Sequence, residues 1–132
     1  MSNRLLVSTR KGLFVLERDA SAWKLARHAF AGDHVAFACA DPRDGRILAA
    51  LDLGHFGAKL HASGDGGTTW NELAVPAFGT DDFVEMGDGK PPRPATLKKL
   101  WVLAPGAESQ PGRLWAGTIP GGLFRSDDGG AS

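Results

Sequence analysis

Apolar positions along the chain fall in short runs, near residues 5–8, 13–17, 35–40, 47–51, 58–63, 98–104, 114–118 and 123–126, each closed off by glycine, proline or short polar residues. No stretch sustains the 3.6-residue period of an amphipathic helix, and runs of this length between turn formers read as β-strands. Two further strands, at residues 23–28 and 70–75, open on a tryptophan. Eighteen glycines and eight prolines fit many short strands joined by tight turns. The predicted class is all-β. On length alone, 132 residues with 42% hydrophobic content suit one domain.

The runs also repeat. Ser63-Gly64-Asp65-Gly66-Gly67-Thr68-Thr69-Trp70 reads as S-x-D-x-G-x-[ST]-W, and Ser126, Asp128, Gly130 and Ser132 repeat all but its tryptophan. The flanks agree, since Gly45-Arg46-Ile47-Leu48-Ala49 precedes the first copy and Gly112-Arg113-Leu114-Trp115-Ala116 the second. A worn third version runs from Asn3-Arg4-Leu5, through Gly12-Leu13-Phe14, to Trp23. Trp23 and Trp70 are separated by a period of about 40–50 residues, that of a four-stranded propeller blade. Ser63 and Ser126 stand further apart, so the second interval holds an insertion.

Turn chemistry explains the motif. Gly67 allows the positive φ a tight hairpin needs, and the oxygens of Ser63, Asp65 and Thr69 can satisfy nearby main-chain N–H groups. Trp70 can bury roughly 150–250 Å² between neighbouring sheets. The competing reading, Asp65 or Asp128 as a catalytic carboxylate or cation ligand, asks more of residues that the turn already accounts for.

These residues resemble the Asp-box, or bacterial neuraminidase repeat, whose members are β-propellers that include sialidases, other glycoside hydrolases, sorting receptors and assembly factors. The resemblance implies a partial β-propeller of four-stranded antiparallel blades, about two blades plus an incomplete one. With the four strands of a blade lettered A to D from the central channel outward, it places each Asp box at the turn between strands C and D, at the periphery and away from any active site. Residues 1–30 then form a first blade lacking its inner strand, 35–76 a complete blade, 77–96 a loop insertion, and 97–132 a blade lacking its outer strand. On this reading the chain is the N-terminal part of a longer propeller, and open strand edges favour self-association.

Antiparallel connectivity puts the B–C and D–A loops on one face. Collected there are Arg10, Lys11, Asp33, His34, Asp52 and His55, with Asp81, Asp82 and Glu85 in the insertion. Carboxylates beside imidazole and guanidinium groups are raw material for acid/base work or for gripping a polar ligand. Asp33 and Asp52 are the candidate catalytic pair, and Arg10, Lys11, His34 and His55 the candidate ligand-binding set; ordinary loop polarity is the competing reading of each. The insertion is acidic at its start, proline-rich at its end and too broken for a strand, which suits a lid, a partner-binding loop or a spacer. His34, His55 and His61 lack tight ligand spacing, so neither metal nor cofactor is expected.

Two functions remain. A noncatalytic propeller that binds a polar ligand, a glycan or a protein partner, or serves as an assembly scaffold, needs only the repeats and one loop face. A sialidase-like glycoside hydrolase, the alternative, is implied by the resemblance to use three arginines, a tyrosine–glutamate pair and an aspartate; the arginine-isoleucine-proline motif that carries the first arginine is absent here and counts against this activity, whereas the absence of tyrosine decides nothing, because the resemblance puts that residue in a later blade. Fifteen basic residues balance fifteen acidic ones, so no net field favours nucleic acid or an anionic membrane. Cys39, the single cysteine, is expected as a small apolar residue. With neither an apolar stretch of bilayer length nor a secretory signal pattern, the expected location is cytoplasmic.

Overall fold

Three antiparallel meanders follow one another. The computed structural model describes residues 2–132. The first sheet holds β1 (Arg4–Thr9), β2 (Gly12–Arg18) and β3 (Trp23–Ala29); the second holds β4 (Val35–Ala40), β5 (Ile47–Asp52), β6 (Ala58–Ser63) and β7 (Asn71–Leu73). A ribbon of β8 (Phe83–Val84) and β9 (Arg93–Pro94) comes next, and a third sheet holds β10 (Lys99–Pro105), β11 (Leu114–Ile119) and β12 (Gly122–Ser126). Every pairing joins neighbours in the chain, and no sheet closes on itself. The all-β expectation therefore holds. Among the described residues no helix is long and apolar enough to cross a membrane.

Two local expectations need correction. The insertion is not free of strand, because Phe83 and Val84 pair with Pro94 and Arg93. An aromatic and a β-branched residue suit a pleated surface, and Phe78 meets Phe124 edge-on at 5.1 Å, which holds the insertion against β12. The outer strand of the second sheet is also shorter than residues 70–75, since Trp70 turns inward ahead of β7.

Side-chain alternation makes β5 the centre of the molecule. Ile47, Ala49 and Leu51 pack on Leu13 and Val15 of the first sheet, whereas Leu48 and Ala50 pack with Leu100, Leu103 and Leu114 of the third. The second sheet is thus covered on both faces, which is why residues 47–51 read as a continuous apolar run. Cys39 packs beside the second cluster, and burial pushes its thiol up to about 11.

The second and third sheets repeat in register as well as in sequence. In β4 the pairing with β5 shifts between Val35 and Phe37; in β10 the pairing with β11 shifts between Leu100 and Val102, the same step. The turns share their central hydrogen bonds. Ser63 Oγ accepts the Gly67 N–H at 2.8 Å and donates to Asp65 Oδ1 at 2.8 Å, while Asp65 accepts the Thr69 N–H at 2.8 Å and the Thr69 hydroxyl at 2.6 Å. Ser126 Oγ accepts the Gly130 N–H at 2.9 Å, and Asp128 accepts the Ser132 N–H at 2.9 Å and its hydroxyl at 2.6 Å. Gly67 and Gly130 adopt φ of 92° and 90°, which side-chain-bearing residues rarely enter. Each turn also lies on the preceding sheet: Gly66 faces the Arg4 guanidinium and Gly129 that of Arg46, arginines at equivalent places in the repeat.

A second tie joins the second and third sheets. Asp41, 1% exposed, takes hydrogen bonds from Arg43, whose guanidinium continues to the carbonyls of Gln110 at 2.6 Å and Arg113 at 2.9 Å. The Arg43 hydrogen bonds hold the Asp41 carboxyl below its ordinary value despite burial.

Hydroxyl donation from Thr69 and Ser132, followed by main-chain N–H bonds, holds the Asp65 and Asp128 carboxyls well below the usual carboxylate range. A depressed folded-state value stabilises fully above the unfolded value of about 4 and fades as pH falls below it. The urea midpoint should therefore drop from pH 5 to pH 3 less steeply in the Asp65→Asn, Asp128→Asn double variant than in the wild type. Both carboxylates are exposed, so the difference is modest; identical slopes would show that the turns contribute nothing to acid sensitivity.

Candidate functional site

Loop-to-loop hydrogen bonds build one cleft between the first and second sheets. In the β1–β2 turn, Thr9 Oγ1 donates to the Gly12 carbonyl at 2.8 Å and accepts the Lys11 N–H at 3.0 Å. The Lys11 carbonyl accepts the Gly32 N–H at 3.1 Å and lies 2.8 Å from His28 Nε2, tying this turn to the β3–β4 loop. On the far side, the Asp52 N–H donates to the His34 carbonyl at 2.9 Å, and Asp52 Oδ1 accepts the Gly54 N–H at 3.2 Å. The cleft encloses about 550 Å³, is open to solvent, and is lined by Arg10, Asp33, His34, Asp52 and Phe56 among others.

A polar cluster gathers around its Asp52. Asp52 Oδ2 stands 3.7 Å from His34 Nδ1 and 3.4 Å from Lys99 Nζ, all three side chains being about a quarter exposed. Lys99 opens β10 in the third sheet, and reasoning confined to loops passes over it. Its position at the loop end of an inner strand was the available signal.

Four of the six loop-face candidates, Arg10, Asp33, His34 and Asp52, line this cleft. Lys11 serves through its main chain. His55 lies in a short 3₁₀ turn (Gly54–Phe56), with its ring edge-on to Phe56 at 5.8 Å. The insertion contributes nothing to the cleft: Asp82 Oδ2 instead accepts the Gly79 N–H at 2.7 Å beside the β11–β12 turn. His61 lies in β6 against Phe30, ring centroids 5.2 Å apart, and burial holds its imidazole below the ordinary value. Among the described residues no three His, Cys, Asp or Glu side chains converge where they could share a metal ion.

Such a cleft can do two things chemically. Arg10 offers a charged donor fork to a carboxylate or similar anion, and Asp33 and His34 offer acceptors for hydroxyl or amide groups. Asp52 has the Lys99 ammonium within ion-pair distance and the His34 ring beside it. A scan against protein-family profiles and a search of curated proteins find no match for the chain.

Proposed function

We propose that the chain is a noncatalytic binding unit built from Asp-box β-propeller blades, and that the cleft holding Arg10, Asp33, His34 and Asp52 takes a polar ligand with at least one anionic group, such as an acidic glycan or an acidic stretch of a protein partner. The propeller part is supported by equivalent registers, equivalent strand irregularities and equivalent turns in sheets stacked face to face. Exposed apolar side chains on the two outermost sheets, Leu5 and Val7 at one end and Trp101, Val102 and Leu123 at the other, are what blades without a neighbour would present.

The observation that favours binding over hydrolysis is the engagement of Asp52 by Lys99. A glycosidase of the ordinary kind needs two carboxyl groups free to flank one bond. Of the two carboxylates in this cleft, Asp52 already has a lysine at 3.4 Å.

Titration of the isotope-labelled chain with N-acetylneuraminate and with glucuronate tests the proposal. Amide shifts should concentrate on residues 10, 32–34 and 52–54, and Arg10→Ala should weaken the interaction at least fivefold, in keeping with loss of a charge-assisted hydrogen bond. Turnover of a fluorogenic glycoside, lost on Asp52→Ala, would overturn the binding reading in favour of hydrolysis. Shifts confined to other surfaces would remove the cleft from either.

A further inference from the structure

Phe30 and Phe78 clamp equivalent loops to equivalent strands, but only the first clamp grips a histidine. Strand register equates Phe14, His61 and Phe124: they stand opposite Val7, Ala49 and Ala116, each three residues after one of the equivalent arginines Arg4, Arg46 and Arg113. Phe78, in the loop before the third sheet, meets Phe124 edge-on at 5.1 Å, and Phe30, in the loop before the second, meets His61 edge-on at 5.2 Å. This place in the repeat therefore accepts a phenylalanine, and packing alone does not call for an imidazole.

The ring is poorly placed to carry a charge. His61 Nδ1 is sealed from solvent and has no hydrogen-bond partner among the described residues. The neutral ring with its proton on Nε2 leaves Nδ1 a bare lone pair, whereas the imidazolium puts an N–H there as well, with nothing to accept it. Around the ring β2 presents Leu13 and Val15, β5 presents Ala49, and the loop presents Phe30. The charged neighbours are Lys59 on β6 and Glu72 on β7, ion-paired with each other at 2.9 Å, Arg27 of β3, whose stem reaches Gly67, and Asp65, engaged by its own turn. His28 of β3 is stacked on Phe14 instead. Burial outweighs the attraction of Glu72 and leaves the imidazole below its ordinary value.

Phe30 connects His61 to the cleft. Its φ is 53°, a left-handed value that a residue with a bulky side chain keeps only while its surroundings impose it. Its ring is fixed between His61 at 5.2 Å and Trp70 at 4.7 Å. Its carbonyl accepts the Asp33 N–H at 2.9 Å, and the Gly32 N–H reaches the Lys11 carbonyl, so Phe30 sets the lip formed by Gly32, Asp33 and His34. We propose that His61 is an acid-sensitive prop beneath that lip: protonation of its ring loosens the edge contact with Phe30, the β3–β4 loop gives way, and the cleft holds its anionic ligand near neutral pH and releases it in acid. The release rests on the reading of the cleft as a binding site; the loosening of the loop does not.

Two measurements on the full chain test this, with His61→Phe, which copies the clamp of the third sheet, and His61→Gln, which stays neutral, as variants. A folded-state value below the unfolded one of about 6.5 gives a contribution that is complete above that pH and fades below it. Between pH 7.5 and pH 4.5 the wild-type Tm should fall by about 3 °C more than that of either variant, and the Phe30 ring protons and the Gly32 amide should move with the His61 imidazole. Over the same range the affinity for N-acetylneuraminate, whose carboxyl stays ionised, should fall about fivefold in the wild type and about twofold or less in the variants, which keep His34. Equal Tm changes in all three chains, or a Phe30 ring and Gly32 amide that stay still while His61 titrates, would overturn the prop; the wild-type titration decides even where a variant fails to fold. A loop that moves while the affinity stays constant would overturn the release alone. No binding of N-acetylneuraminate at pH 7.5 would overturn the cleft reading and the release with it, while the prop is still decided by the first measurement.

Discussion

Trp70→Ala should lower stability by about 3 kcal/mol, the lower part of the range for removing a packed aromatic because the ring is only partly buried. That corresponds to a fall in Tm of roughly 10 °C for a chain of this size. The change removes three things at once: the tilted ring contact with Phe30 at 4.7 Å, the cover over Gly67, and the wall between the outer parts of the first and second sheets. Trp70→Phe keeps most of the packing and loses the Nε1 bond to Gly67, so it should cost about 1 kcal/mol. Trp101, 62% exposed, supplies the control; Trp101→Ala should stay within about 0.5 kcal/mol of wild type. Thermal and urea unfolding of the three variants measure the ranking. Equal effects of Trp70→Ala and Trp101→Ala would mean that the indole does not join the sheets.

Gly12→Val should be more damaging still. Gly12 begins β2 at φ 120°, and a Cβ there would lie 2.6 Å from the Ala29 carbonyl oxygen, 2.7 Å from His28 Nε2 and 2.9 Å from the Phe30 carbonyl oxygen. Two of those three neighbours are backbone, so relief requires β3 to move away from β2. Positive-φ strain together with displaced strand pairing should cost about 4 kcal/mol or more. Loss of cooperative unfolding at 37 °C, or failure to accumulate as folded protein, is the expected outcome. A Gly12→Val chain with wild-type Tm would show that the close approach of β2 and β3 at this turn is not needed.

Much of the fold can be read from residue order because it is local. Each pairing joins consecutive strands, so short apolar runs closed by turn-forming residues, Asp41-Pro42 after Val35–Ala40 and Gly57 and Gly64 around Ala58–Ser63, locate strands that need no distant partner. The turns are legible for the same reason: Ser63, Asp65, Gly67 and Thr69 satisfy one another within a single hairpin. What escapes is long-range. Lys99 meets Asp52 across two sheets, and Arg43 reaches the carbonyls of Gln110 and Arg113, contacts that no local pattern announces. The β8–β9 ribbon escapes because two-residue strands lie below the length at which alternation can be recognised. Of the candidate site, loop membership placed Arg10, Asp33, His34 and Asp52 in one cleft, but side-chain direction excluded Lys11 and His55.

The worn first repeat follows the same logic. Asp19 accepts the N–H groups of Ser21 and Ala22, each at 3.2 Å, ahead of Trp23. This acid takes the role of Asp65 from a position shifted along the turn, and for that reason it does not align with the motif.

Methyl–methyl nuclear Overhauser contacts of β5 test the central claim most directly. With the second sheet lying between the first and the third, Ile47 and Leu51 methyls should show contacts to Leu13 and Val15, and Leu48 methyls to Leu100 and Leu103, with no crossing between the sets. Contacts from Leu48 to the first sheet, or from Ile47 to β10, would contradict the stacking and the repeat equivalence built on it.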